Sequence, residues 1–173
     1  MHALLILDMQ VGLFHGPDKP WRGERLLATL NELIVRAQKS DCSVFFARHI
    51  GPVGSPIERG SPLTELVGGL ALNGTEIIFE KSRPNAFVFT ALAEQLRSRG
   101  VETIVVAGMK TQYCVDSTCR AARDLGFETI LIEDGHTCSD TPLLSAESII
   151  NHHNSTLAGA FCRVMKAEEC DFK

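Results

Sequence analysis

Short apolar runs rich in branched residues recur along the whole chain, and they constrain its fold more than any other feature. Each run has the length of a β-strand and lacks the alternation of a strand with one face in water. Such runs are typical of strands buried on both faces, as in a parallel sheet covered by helices. The six predicted strands are Ala3–Leu7, Ser43–Ala47, Glu76–Phe79, Thr103–Ala107, Thr129–Ile132 and Ala160–Val164.

Apolar residues at helical spacings of three and four lie between these runs. The three clearest sets are Leu26, Leu30, Leu33 and Ala37; Val88, Leu92 and Leu96; and Ala146, Ile150, His153 and Leu157. Thr141 followed by Pro142 predicts a helix start, with an N-cap and proline at the first helical position. Glycines that are typical of helix ends follow the helical patterns at Gly100, Gly126 and Gly159.

Strand and helix alternate over 173 residues. This order predicts a single domain, residues 1–173, built as a three-layer α/β/α sandwich around a mainly parallel, Rossmann-like six-stranded sheet. The irregular segment from about Gly51 to Gly74 is expected to form a surface excursion beside the functional site.

Composition excludes several classes of function. The formal charge is −4 and the Lys and Arg residues do not cluster, so the chain lacks the basic surface of a nucleic-acid binder. The apolar run Ala3–Leu7 is too short to cross a membrane. The cysteines form no C-x-x-C pair, which argues against a zinc ribbon or a thioredoxin motif. We therefore expect a cytoplasmic protein whose cysteines are mostly free thiols, acting on a small molecule and contacting neither nucleic acid nor membrane.

Three chemically complementary residues follow predicted strands. Asp8 ends the first strand, Lys81 follows the third, and Cys114 lies beyond the turn that follows the fourth. The carboxyl ends of parallel strands share one edge of the sheet, so these side chains are expected to meet. At the start of a helix, Cys114 is also expected to favour the thiolate. A base, an ammonium group and a thiol together predict acyl transfer through a covalent thioester.

Three segments resemble the signature segments of the isochorismatase-like cysteine hydrolases. They are Leu5-Ile6-Leu7-Asp8-Met9-Gln10, Phe79-Glu80-Lys81 and Gly108-Met109-Lys110-Thr111-Gln112-Tyr113-Cys114-Val115. The resemblance implies that Asp8 is the general base, Lys81 its electrostatic partner and Cys114 the nucleophile. It also implies a cis peptide between Met109 and Lys110, an oxyanion hole formed by the Lys110 and Cys114 amides, and a homodimer or larger assembly.

The same resemblance separates this chain from the metal-dependent nicotinamidases of that family. Those proteins carry an Asp-x-His pair after the second strand, where this chain reads Arg48-His49-Ile50. We therefore predict no metal and no cofactor. Gln10, Phe14, His49 and Tyr113 are candidate substrate-contacting residues. Phe14 could equally be a hydrophobic plug, and His49 could equally be a hydrogen-bonded structural histidine.

The leading functional hypothesis is hydrolysis of an amide-like C–N bond in a small molecule. The isochorismatases proper cleave a vinyl ether, sometimes in members that lack the cysteine, so the presence of Cys114 favours C–N hydrolysis. One alternative is a vinyl-ether hydrolase of the isochorismatase type. A second is a thiol-based redox sensor or binding module without turnover, with Cys119 or Cys138 as the nearest candidate resolving cysteine.

Overall fold

A computed structural model describes residues 1–172 and contains one six-stranded sheet covered by helices on both faces. The strands are β1 (His2–Leu7), β2 (Ser43–His49), β3 (Ile77–Lys81), β4 (Thr103–Met109), β5 (Glu128–Thr137) and β6 (Arg163–Met165). The helices are α1 (Val11–Phe14), α2 (Gly23–Lys39), α3 (Leu92–Ser98), α4 (Asp116–Asp124) and α5 (Ala146–Leu157). No helix among these residues is long and apolar enough to cross a membrane.

All neighbouring strands are parallel, in the order β3-β2-β1-β4-β5-β6. The chain first builds outward from β1 to β3 and then returns to the other side of β1 with β4. Strand order therefore reverses between β1 and β4, and the crevice at such a point is where open α/β sheets bind ligands. The predicted three-layer, Rossmann-like sandwich is confirmed.

Each face of the sheet carries its own apolar core. Leu4 and Ile6 of β1 pack with the buried side of α2, whereas Leu5 and Leu7 point to the opposite face and pack with α3 and α4. Buried strands of this kind need no polar face, because helices cover both sides. This explains why the six runs show no alternation.

Three local predictions are wrong. The last strand is Arg163–Met165 rather than Ala160–Val164, because residues before it form a turn in which the Gly159 amide bonds the Cys162 carbonyl. Helix α3 begins at Leu92, so Val88 lies outside it. Helix α5 is capped by Ser145, whose hydroxyl accepts from the Ser148 amide, and not by Thr141.

Candidate active site

Asp8 leaves β1 in a left-handed backbone conformation, with φ of 53°. Few residues other than glycine adopt this region, and such outliers cluster at functional sites. The Asp8 side chain is 1% exposed, and its Oδ2 accepts a hydrogen bond from the Lys81 ammonium at 2.9 Å. Its second oxygen, Oδ1, is buried and has no hydrogen-bond partner within residues 1–172. That oxygen is therefore an open proton acceptor in the interior.

Lys81, the last residue of β3, places its ammonium at the centre of the site. Its Nζ lies 2.9 Å from Asp8 Oδ2, 3.0 Å from His49 Nδ1 and 3.2 Å from Cys114 Sγ, and it also reaches the Arg83 carbonyl at 3.2 Å. The whole residue is only 3% exposed. An ammonium carries three protons, so four acceptors compete for them. A thiolate at Cys114 would take one of these protons more strongly than a neutral thiol does.

Cys114 lies in a single turn of π-helix, Thr111–Val115, that joins β4 to α4. Turns of this type occur often at functional sites. The Met109–Lys110 peptide before it is cis. At the end of β4, Gly108 passes so close to β1 that a Cβ would lie 2.2 Å from the Leu7 carbonyl oxygen. Only glycine permits this approach, which brings the cysteine turn beside the strand that carries Asp8.

The Cys114 thiol is less acidic than its position at a helix start predicts. Burial, followed by the adjacent negative charge of Asp8, raises its pKa to about 12, although Lys81 acts in the opposite direction. Burial and the Asp8 charge thus act against the preference for the thiolate that the position of the turn predicts. The residue is 8% exposed, so solvent does little to stabilise the anion. Both effects favour the neutral thiol over the thiolate in the free protein.

Three side chains at this site could in principle bind a metal ion. Donor atoms of Asp8, His49 and Cys114 all lie within 4.8 Å of one another. The Lys81 ammonium contacts all three donors, at distances of 2.9 to 3.2 Å. A cation already occupies their common centre, and a metal ion would have to displace it. The residues present therefore do not fit a bound metal.

The candidate substrate-contacting residues differ in how accessible they are. Tyr113 is 56% exposed beside the nucleophile, and His49 is half-buried against Lys81. Phe14 packs in the core beneath α2, as expected for a hydrophobic plug. Gln10 is fully buried, and both ends of its amide bond the protein backbone. Phe14 and Gln10 therefore have no free surface or polar group to offer a ligand in this conformation.

The Gln10 side chain connects the segment that follows β1 to the end of β2. Its Oε1 accepts from the His49 amide at 2.6 Å, and its Nε2 donates to the His49 and Thr64 carbonyls at 3.0 and 3.2 Å. Replacing Gln10 by alanine leaves these buried groups unpaired, so we expect the free energy of unfolding to fall by about 3 kcal/mol. Urea denaturation measures this loss.

Gln38 provides the matched control for that substitution. It also donates to a carbonyl and to a side chain, those of Ala71 and Glu76, but it is only partly buried. Water can replace its partners, so Gln38→Ala should cost less than about 1 kcal/mol. Equal losses in the two variants would show that Gln10 does not brace the site.

A buried histidine that sequence analysis missed fixes the cysteine turn from the other side. His136 Nε2 lies 2.8 Å from Asn154 Oδ1, and its Nδ1 lies 2.9 Å from the Thr111 hydroxyl. Asn154 uses its amide nitrogen to donate to the Glu133 carbonyl, which leaves its oxygen to accept from His136. His136 thus carries its proton on Nε2, and the Thr111 hydroxyl donates to Nδ1. No spacing in the sequence connects these residues.

Acid should weaken the protein through His136. Burial lowers the pKa of this imidazole from 6.5 to about 4. The unfolded chain therefore binds a proton before the folded chain does, and stability is full above pH 6.5 and falls as the pH is lowered towards 4. The expected loss is about 3 kcal/mol for this shift. Urea denaturation across this pH range tests it, and His136→Gln should flatten the profile whereas the exposed His152→Gln should not. An unchanged profile in His136→Gln would contradict this assignment.

Comparison with known proteins identifies the family. The model of the isochorismatase domain matches residues 2–169. The chain belongs to the isochorismatase family. Members of this family are hydrolases, and the present protein is an isochorismatase-family hydrolase.

The matched proteins are moderately identical to this chain and cover from about half to nearly all of it. The isochorismatase family protein YecD of Escherichia coli O157:H7 is 29% identical over 180 residues, covering 96% of this chain and 93% of YecD. Maleamate amidohydrolase of Pseudomonas putida KT2440 is 32% identical over 83 residues, or 48% of this chain and 39% of that enzyme. The crystal structure of an isochorismatase from Pseudomonas putida KT2440 superposes with a TM-score of 0.89 at 28% identity, covering 97% of this chain and 89% of that one.

Proposed function

We propose that this isochorismatase-family hydrolase cleaves an amide-like C–N bond of a small molecule through a thioester on Cys114. The observation that carries the proposal is the buried contact of one ammonium, Lys81 Nζ, with both Asp8 at 2.9 Å and Cys114 at 3.2 Å. A carboxylate with an unpaired oxygen, a cation and a thiol in one closed cluster are the parts required for nucleophilic acyl transfer. The similarity to an enzyme named maleamate amidohydrolase supports C–N cleavage.

In the first half of the reaction, Asp8 Oδ1 takes the thiol proton as Cys114 Sγ attacks the substrate carbonyl. Lys81 then donates to the sulfur while negative charge is present there. The developing oxyanion receives hydrogen bonds from the backbone amides of Lys110 and Cys114. Collapse of the tetrahedral intermediate breaks the C–N bond, and the proton held by Asp8 passes to the departing amine.

Water completes the second half of the reaction. Asp8 removes a proton from a water molecule, which attacks the thioester carbonyl. The C–S bond breaks, the acid product leaves, and the proton returns to Cys114. Asp8 thus acts as base and acid once in each half, and the side chains end in their starting protonation states.

The raised pKa of Cys114 disfavours the redox-sensor alternative. Sensor cysteines are oxidised as exposed thiolates, whereas Cys114 is a nearly buried thiol. A base beside a neutral thiol is instead suited to a nucleophile that is activated only while substrate is bound.

Rapid acid quenching followed by intact-protein mass spectrometry tests the proposal. The protein is exposed briefly to a panel of small amides, carbamoyl compounds and vinyl ethers, and product release is followed in parallel. We expect an acyl adduct that maps to Cys114 and disappears when the amide is exhausted. Turnover of a vinyl ether alone, or of an amide without any adduct on Cys114, would overturn the proposal.

A further inference from the structure

His49 contacts the Lys81 ammonium in a way that fixes its protonation. An ammonium can only donate, so the contact of 3.0 Å between Lys81 Nζ and His49 Nδ1 requires a lone pair on Nδ1. The imidazole is then neutral and carries its proton on Nε2. Burial, followed by the positive charge of Lys81, lowers the pKa of His49 and agrees with this state.

The position of the His49 ring is set by the segment that follows β1, which also carries Asp8. The Gln10 side chain accepts from the His49 amide and donates to the His49 carbonyl, so the end of β2 is held on both sides of the residue. Gln10 follows Asp8 by two residues. One short segment therefore positions both the carboxylate and the imidazole that face Lys81.

A fixed acceptor on one side of an ammonium orients its other protons. The titratable groups that face Lys81 are Asp8 from β1, His49 from β2 and Cys114 from the turn after β4. With one proton on His49 Nδ1 and one on Asp8 Oδ2, the third points to the side where Cys114 Sγ and the Arg83 carbonyl lie. Without His49, the ammonium can turn away from the sulfur.

We propose that His49 is the positioning residue for Lys81 and that its Nε2–H donates to an acceptor atom of the substrate. Within residues 1–172 the imidazole has its one hydrogen-bonding contact at Nδ1, and the half-buried ring leaves Nε2–H unused. The substrate class follows from this donor: a small amide with a second acceptor, a carbonyl or carboxylate oxygen, close to the scissile carbonyl. The substrate part rests on the proposed amide hydrolysis, whereas the positioning of Lys81 does not.

Two substitutions distinguish the roles of the two nitrogen atoms of the His49 ring. In His49→Asn the amide oxygen can take the place of Nδ1, while the position of Nε2 is left empty. In His49→Gln the longer side chain brings an amide nitrogen near the position of Nε2 but offers no acceptor at Nδ1. His49→Asn therefore keeps an acceptor for the Lys81 ammonium, and His49→Gln keeps a donor for the substrate.

Alkylation of Cys114 by iodoacetamide tests the positioning of Lys81 without any substrate. Mass spectrometry follows the alkylation rate from pH 6 to 10. Loss of one oriented hydrogen bond from a charged group should slow alkylation in His49→Gln by about tenfold and move its pH profile upward. His49→Asn should restore the wild-type rate and profile, and the exposed His152→Gln should not differ from wild type. Thermal melting identifies any variant that has simply lost its fold.

Equal alkylation profiles for wild type and His49→Gln would overturn the positioning role. So would equal impairment of His49→Asn and His49→Gln in folded protein, because only the first keeps an acceptor at Nδ1. With an amide substrate from the panel, we expect His49→Asn to raise KM with little change in kcat; an unchanged KM would overturn the donor role. Failure of amide hydrolysis itself would appear as absent turnover in wild type while the alkylation difference remained.

Discussion

Replacing Cys114 by serine should lower kcat/KM by about 10⁴-fold or more on any amide that the wild-type protein hydrolyses. The wild-type thiol already has a pKa of about 12 in this buried setting, and a hydroxyl group is a much weaker acid than a thiol. Asp8 can remove a thiol proton as the sulfur attacks, but the same carboxylate is too weak a base for a buried hydroxyl group. Side-by-side steady-state kinetics of the two proteins measure the loss.

Cys119 offers a matched control for that substitution. It lies five residues after Cys114, is fully buried, and packs in the same apolar core on the α4 face of the sheet. Cys119→Ala removes a buried sulfur without touching Asp8 or Lys81, so it should keep kcat/KM within about threefold and lose only stability. If Cys114→Ser kept more than about a tenth of the wild-type kcat/KM, nucleophilic catalysis by Cys114 would be wrong.

The parts of this molecule that were predictable from sequence depend on local pattern. Runs such as Ser43–Ala47 are apolar because both faces of their strands are covered, and the spacing of Leu26, Leu30, Leu33 and Ala37 reflects the one buried face of α2. Asp8, Lys81 and Cys114 converge because they follow strands whose carboxyl ends share one edge of a parallel sheet. The alternation of strands and helices along the chain is enough to predict such a sheet.

What could not be predicted depends on contacts between distant residues. The acidity of Cys114 is set by burial and by a carboxylate from another strand, not by its place at the start of a helix. The Gln10 bonds to His49 and the contacts of Thr111 and Asn154 with His136 join segments whose separation in the chain carries no signal. Local propensity likewise favoured Thr141-Pro142 as a helix start, although Ser145 makes the actual cap.

Lys81→Met is expected to damage stability as well as turnover. The substitution removes the one cation that contacts the buried Asp8 carboxylate within residues 1–172 and leaves that charge uncompensated in the interior. Removing one partner of a buried ion pair costs about 3–5 kcal/mol. Urea denaturation at pH 7 should show this loss, whereas the same substitution at the exposed Lys19 should change stability by less than about 0.5 kcal/mol.

A double variant separates the electrostatic cost from the catalytic one. In Asp8→Asn with Lys81→Met the buried charge is gone, so we expect the double variant to be more stable than Lys81→Met alone by about 2 kcal/mol or more. Turnover should stay absent in both, because the double variant has neither the base nor the cation. A double variant no more stable than Lys81→Met would show that the uncompensated charge of Asp8 is not the source of the loss. Recovered stability with absent turnover is the result expected of a buried ion pair kept for catalysis, because neutral side chains of similar size can fill the same space.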